Sequence, residues 1–206
     1  MNFFKTLAMV GLVGVGVVSE SLYASDLEII QPTLSPKKDY AFARGEDFKG
    51  DYAVLVRTPQ NSPIGHQFRS VAALYKPNNK NLSSVWDSDE NFVAINWSTK
   101  HGSSEVEVFH RTSDGLKECE LPDLEACILA NTMDAIGLSR IYPVAVKWTK
   151  TGILNIDVKA IAIKSRNGNQ LNTFDLRYDF QIQFLPNGKS HIVSVMRSFI
   201  SDYATH

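Results

Sequence analysis

The side chains best suited to chemistry in this 206-residue chain are few and scattered. Cys119 and Cys127 are its only cysteines, and the histidines stand at His66, His101, His110, His191 and His206. Asp87, Asp89, Glu90 and Asn91 crowd into the segment WDSDENF. Each group suggests a chemistry that can be weighed against the spacing it needs.

A zinc hydrolase sets two histidines one helical turn apart, so that both imidazoles reach one metal. No H-x-x-x-H or H-E-x-x-H pair occurs here. An activated serine on a strand–turn–helix elbow needs G-x-S-x-G, which is absent, and no S-x-x-K stands at a helix start. A Ser-His-acid site assembled only in the fold leaves no such trace. His110, after Phe109 at the end of a β-like run, reads as an edge residue, and His101 in TKHGSS reads as a turn residue. The acidic cluster offers the several oxygen ligands that calcium takes. It fails the EF-hand spacing, because Phe92 stands where the tight-turn glycine belongs. Asp87, Asp89 and Glu90 are therefore a weak calcium candidate beside the plainer reading of a solvated acidic loop. The glycines stand singly at turns, no phosphate-cradling loop is present, and no cofactor is expected.

The cysteines need a compartment before they can be read. MNFFK carries one positive charge, Lys5, followed by an uncharged apolar run over residues 6–18 and then SESLYA. That order is the signature of a secretory signal peptide, with cuts possible after Ala24 or Ser21. The apolar run falls short of the roughly 20 residues that span a membrane. Residues 1–24 are expected to be a leader, and the mature chain to be periplasmic or secreted without stable membrane insertion. An oxidising compartment favours a disulfide. Within one helix Cys119 and Cys127 would stand about 12 Å apart, beyond disulfide reach. Pro122 lets Cys119 precede the helix, so the pair is expected to be a disulfide staple closing a short loop. On the chain-entropy model such a loop stabilises by about 2.5 kcal/mol. Free thiols are the alternative. A redox centre would call for C-x-x-C, which is absent.

The positioning elements follow from periodicity. Residues 25–50 mix prolines and glycines and read as an extended arm, leaving 51–206 as one domain. Runs at 51–57, 70–75, 92–98 and 105–111 are rich in β-branched and aromatic residues and read as strands. Residues 122–136 read as a helix, with Pro122 in its first turn and Ala126, Leu129, Ala130, Met133 and Gly137 as one stripe. Longer β-like runs follow the helix. Phe174, Leu176, Tyr178, Phe180, Ile182 and Phe184 alternate with Asp175, Arg177, Asp179, Gln181 and Gln183, one face buried and one wet. The preceding run alternates likewise around Asp157 and Lys159. A three-residue loop at 166–168 keeps the faces separate, setting Asp157 opposite Arg177, Lys159 opposite Asp175 and Val158 opposite Leu176.

With 44% hydrophobic and 21% charged residues, the chain has an ordinary globular composition. A formal net charge of −1 gives no basic excess for nucleic acid. The expected fold is α+β, a single two-layer domain with a largely antiparallel sheet, one main helix and a C-terminal four-strand meander. A chain that spends its special residues on turns and alternating strands suits a binding protein, whose site is a surface without a motif. The functional expectation is an exported module that binds a protein of the cell envelope, as an inhibitor or immunity-type protein neutralising an envelope-acting enzyme. Its candidate face is Asp157, Lys159, Asp175, Arg177 and Asp179. The alternatives are an envelope hydrolase and a small-ligand or calcium-binding periplasmic protein.

Overall fold

The computed structural model describes residues 27–47, 50–58, 62–68, 82–98, 104–113, 115–167 and 170–198. The expected leader, its cut sites, His101, His206 and the strand expected at 70–75 lie outside the described residues. The described strands form three four-stranded antiparallel sheets. The first contains β1 (Glu28–Ile29), β2 (Tyr40–Asp47), β3 (Gly50–Arg57) and β4 (Ser62–Phe68). The second contains β5 (Leu82–Trp86), β6 (Phe92–Ser98), β7 (Ser104–Thr112) and β8 (Gly115–Cys119). A helix, α1 (Leu124–Ala130), then leads into β9 (Gly137–Lys150), β10 (Ile153–Asn167), β11 (Gln170–Phe184) and β12 (Ser190–Ser198). The class is α+β and largely antiparallel, with the C-terminal four strands ordered β12-β11-β10-β9.

The second sheet is buried on both faces, because β6 is apolar at odd and even positions alike while β7 adds Val106 and Val108 to one face and Phe109 to the other. Val93, Ile95, Trp97 and Phe109 pack with Phe42, Ala53 and Leu55 of the first sheet. Phe92, Ala94, Val106 and Val108 pack against Leu154, Ile156, Val158, Leu176, Tyr178 and Phe180 of the third. The molecule is therefore a stack of three sheets, where the periodicity suggests a single sheet covered by a helix. The segment expected as an arm supplies β1, a 3-10 turn over Gln31–Thr33 and β2. Pro63 hides β4 from a propensity reading, yet β4 is an edge strand, where a missing N–H is tolerated.

Polar side chains join the layers. Thr33 accepts from the Phe42 N–H at 2.8 Å, while its carbonyl accepts from Trp86 Nε1 at 3.0 Å and Ser84 Oγ at 3.1 Å. Arg111 lies 4.8 Å over the Tyr40 ring and donates through Nε to the Glu90 carbonyl at 2.6 Å. On the other side, Asn96 donates to the Ala145 carbonyl at 3.0 Å and accepts from the Ala145 N–H at 2.8 Å. Ser104 donates to the Pro143 carbonyl at 2.8 Å. These two side chains satisfy backbone groups on the edge of β9.

The helix is shorter than expected and rotated in phase. Asp123 is its N-cap, accepting from the Ala126 N–H at 2.9 Å, so Pro122 stands outside the helix. Leu124 and Ile128 are the buried line, continued by buried Thr132, whose hydroxyl meets Tyr178 Oη at 2.7 Å. Asn131 folds back onto the Cys127 carbonyl at 2.8 Å and ends the helix. Met133, expected in the core stripe, is fully exposed, and Gly137 begins β9.

The β10–β11 register also differs from expectation. Asn167 pairs with Gln170, leaving only residues 168 and 169 between the strands, so Arg166 belongs to β10 and not to a loop. A bulge at Lys164 then inserts one residue. The bulge restores parity, so the faces stay separate while the partners shift. Asp157 stands opposite Asp179, Lys159 opposite Arg177 and Val158 opposite Tyr178.

Asn96→Ala removes both bonds to Ala145 and leaves its N–H and carbonyl without their partner. We expect a loss of about 2 kcal/mol in urea unfolding with an unchanged slope, and no rescue by Asn96→Asp, whose second oxygen would face the Ala145 carbonyl as acceptor against acceptor.

Candidate functional site

The acidic segment turns out to build a turn. Asp87 is buried, and its Oδ1 accepts from the N–H groups of Asn91 at 2.7 Å and Phe92 at 3.0 Å. This closes the β5–β6 hairpin. Glu90 is also buried, in a left-handed conformation at φ 60°, and accepts from the Lys37 N–H at 2.9 Å. Asp89 is exposed and accepts from Thr151 Oγ1 at 2.7 Å. The three carboxylates of the calcium candidate thus point to three different partners. Among the described residues no group of three or more His, Cys, Asp or Glu is placed to hold a metal ion.

His110 is not at an edge, since β7 lies between β6 and β8. Its ring packs 4.9 Å from the Phe92 ring, and its Nδ1 is buried without a hydrogen-bond partner. Burial lowers the pKa of the imidazole, helped by the positive charges of Arg111 and Lys117 and opposed by Asp87. Asp87 is shifted the opposite way. Burial raises its carboxyl pKa against the two backbone hydrogen bonds, and its Oδ2 has no partner.

The cysteines are not joined. Cys119 ends β8 in the core between the second and third sheets, and Cys127 lies half-buried against the same core from the helix. The expected disulfide is corrected to two free thiols. The extended stretch over residues 120–123 delays the helix to Leu124. That sets Cys127 on the flank beside Ile128, where its sulfur accepts from Asn131 Nδ2 at 3.7 Å. Burial raises the Cys119 thiol pKa, which makes it a poor nucleophile.

The outer face of the third sheet is where the charged candidates meet. Asp157, Lys159, Asp175, Arg177 and Asp179 all lie on the side of the sheet away from the core. Arg177 donates to Asp157 through both Nε at 3.0 Å and a terminal nitrogen at 2.6 Å, a diagonal two-point pair across β10 and β11. Asp179 accepts from the Ser198 hydroxyl. The ladders align two rows across all four strands: Val144, Asp157, Asp179 and Met196, then Tyr142, Lys159, Arg177 and Ser198. Val144 is 41% and Met196 62% exposed, so apolar side chains flank the charges. Beside the second row is a concavity of about 330 Å³ in which Tyr142 and Ile161 meet Lys159, Asp175 and Arg177. Tyr142, Val144, Ile161 and Met196 escape a reading centred on charge. The alternation of Tyr142 and Val144 with buried Pro143 and Ala145 is the signal that would have found them.

A wider groove of about 480 Å³ runs between the start of α1, β7 and β9. Its floor includes Val106, Leu124 and Pro143, but Asp123 is committed to the helix cap and Ser104 to the Pro143 carbonyl. Neither concavity is lined by a histidine or a cysteine. No helix of the described residues is long and apolar enough to cross a membrane. No family model, no curated protein and no solved structure matches the chain.

Two outcomes follow from the buried groups. Under native conditions a thiol reagent should modify Cys127 first and Cys119 only on unfolding, with two thiols titrating in the denatured, unreduced protein. Histidine 110 has a folded pKa below its unfolded value of 6.5, so its contribution is present above that pH and is lost as pH falls through the folded pKa. The urea midpoint should therefore fall on acidification below about pH 6.5, and His110→Phe should flatten that part of the profile.

Proposed function

We propose that the protein is an exported protein-binding module of the cell envelope, docking its partner on the outer face of the C-terminal sheet. The observation that carries this reading is the composition of that face. A two-point Arg177–Asp157 pair lies beside exposed Val144 and Met196 and a concavity floored by Tyr142 and Ile161. Interfaces draw their affinity from a few apolar or aromatic anchors, and their orientation and encounter rate from surrounding charges of both signs. A merely solvated face needs the charges but gains nothing from exposed valine and methionine.

Export is supported by the leader-like order of Lys5, the apolar run and the small residues that follow. The finer reading is an inhibitor of an envelope-acting enzyme. It is supported by the concavity, which would seat one anchoring side chain.

Affinity capture from envelope extract with wild-type and Arg177→Glu protein tests the reading. Charge reversal should weaken capture severalfold, with an effect that shrinks at high salt. The stability change should stay below about 1 kcal/mol, because the pair is partly exposed. Equal capture by both proteins would leave the face merely solvated and sink the proposal.

A further inference from the structure

The charges on the outer face are arranged so that the face fits a copy of itself. Lys159 and Arg177 sit side by side in one cross-strand row, and Asp157 and Asp179 sit side by side in the next. No register shift falls between the two rows on any of the four strands. A two-fold axis lying in the face, between the rows and parallel to them, turns a second copy over and sets its cationic row on the acidic row of the first. The second copy's Lys159 then meets Asp157, and its Arg177 meets Asp179. At the ends of the rows the second copy's Tyr142 covers Val144, and its Ser198 covers Met196.

Within one copy the Arg177–Asp157 pair is closed, while Lys159 has no ion pair among the described residues and Asp179 is held only by the Ser198 hydroxyl and the nearby Arg177 charge. The two-fold arrangement uses what is left over. It strings Lys159 of one copy, Asp157 and Arg177 of the other and Asp179 of the first into an alternating row of charges, repeated by symmetry. We propose that the outer face of the C-terminal sheet is an isologous interface for a second copy of this chain. The proposal rests on the reading of this face as a docking surface and narrows its partner to the protein itself.

Four strands about 4.8 Å apart and four two-residue rows of about 6.8 Å outline roughly 500 Å² per copy, or about 1,000 Å² for the pair. That is the lower limit for a specific interface, so the dimer is weak and held largely by charge. Arg140 and the second copy's Lys147 approach at the rim, where sheet twist opens the faces to solvent and salt screens like charges.

Sedimentation equilibrium of the purified protein at low and high salt provides the test. A dimer should form at low salt and weaken about tenfold or more at high salt. Lys159→Glu and Asp157→Lys should each be monomeric, and an equimolar mixture should restore a dimer, since the acid introduced at position 159 of one chain then faces the base introduced at position 157 of the other. A dimer indifferent to both substitutions, or a mixture that stays monomeric although both variants fold, would overturn the proposal. On unaltered protein, carbodiimide coupling of mixed light and heavy isotope copies should join Lys159 of one copy to Asp157 of another. No inter-copy link, with the protein monomeric at millimolar concentration and low salt, would also overturn it. A monomer that still captures an envelope protein through Arg177 rejects the second copy and leaves the docking reading standing. A charge-dependent dimer that captures nothing else supports the second copy and removes the envelope partner.

Discussion

The architecture depends on a sheet that must be covered on both sides. Val93, Ile95 and Trp97 point one way from β6 while Phe92 and Ala94 point the other, so the second sheet has no face it can leave to water. Covering apolar surface is non-directional and does not by itself choose where the covering sheet stops. Asn96 supplies that choice. Its amide mimics a stretch of strand, receiving and giving one hydrogen bond each at Ala145, so it fixes the position of the third sheet against the second. The same contact, with Ser104 on Pro143, occupies backbone groups that β9 would otherwise present as an open edge. Pro143 contributes by having no N–H to offer.

On the opposite side the directional contacts pass through Thr33, Tyr40, Trp86, Glu90 and Arg111. The acidic hairpin turn belongs to this junction. Asp87 shapes the turn, Glu90 reaches the Lys37 N–H, and the Glu90 carbonyl receives Arg111. With the inner faces occupied in this way, the polar alternation of β10 and β11 can only face outward. The charged face of the third sheet is thus a consequence of what the second sheet demands.

Much of the C-terminal sheet was legible from side-chain alternation alone, because a period of two survives any packing partner. The register was not. Lys164 looks like any other solvent-side residue, and nothing in its type announces the bulge that, together with the Asn167–Gln170 pairing, sets Asp157 opposite Asp179 where the alternation alone suggests Arg177. The diagonal Arg177–Asp157 pair still forms, since a guanidinium reaches a neighbour two positions along. The helix was legible in existence but not in phase. Asp123 competes with Pro122 for the first turn and wins by capping Ala126, which puts Leu124 and Ile128 inward and leaves Met133 beyond the last turn. The disulfide expectation rested on compartment and loop length, which say nothing about the direction of a Cβ bond. Strand β5, LSSVW, has too few apolar residues to be noticed, although its serines and tryptophan carry the junction with the first sheet.

Each sheet is wound from strands that are consecutive in the chain. Hairpins closed by short loops lose little entropy and form within microseconds, whereas contacts between sheets join distant residues. Trp86 reaches Thr33 across 53 positions, and Asn96 reaches Ala145 across 49. Docking of preformed sheets, rather than strand pairing, is therefore the late event in folding. The chain emerges N-terminus first, so the second sheet is complete at Cys119 while the strands that cover its other face end at Ser198. That interval is about 80 residues, whether the chain emerges from the ribosome or from an export channel. Throughout it, Phe92, Ala94, Val106 and Val108 form an uncovered apolar surface, and the nascent chain is at its most aggregation-prone when it is already more than half made.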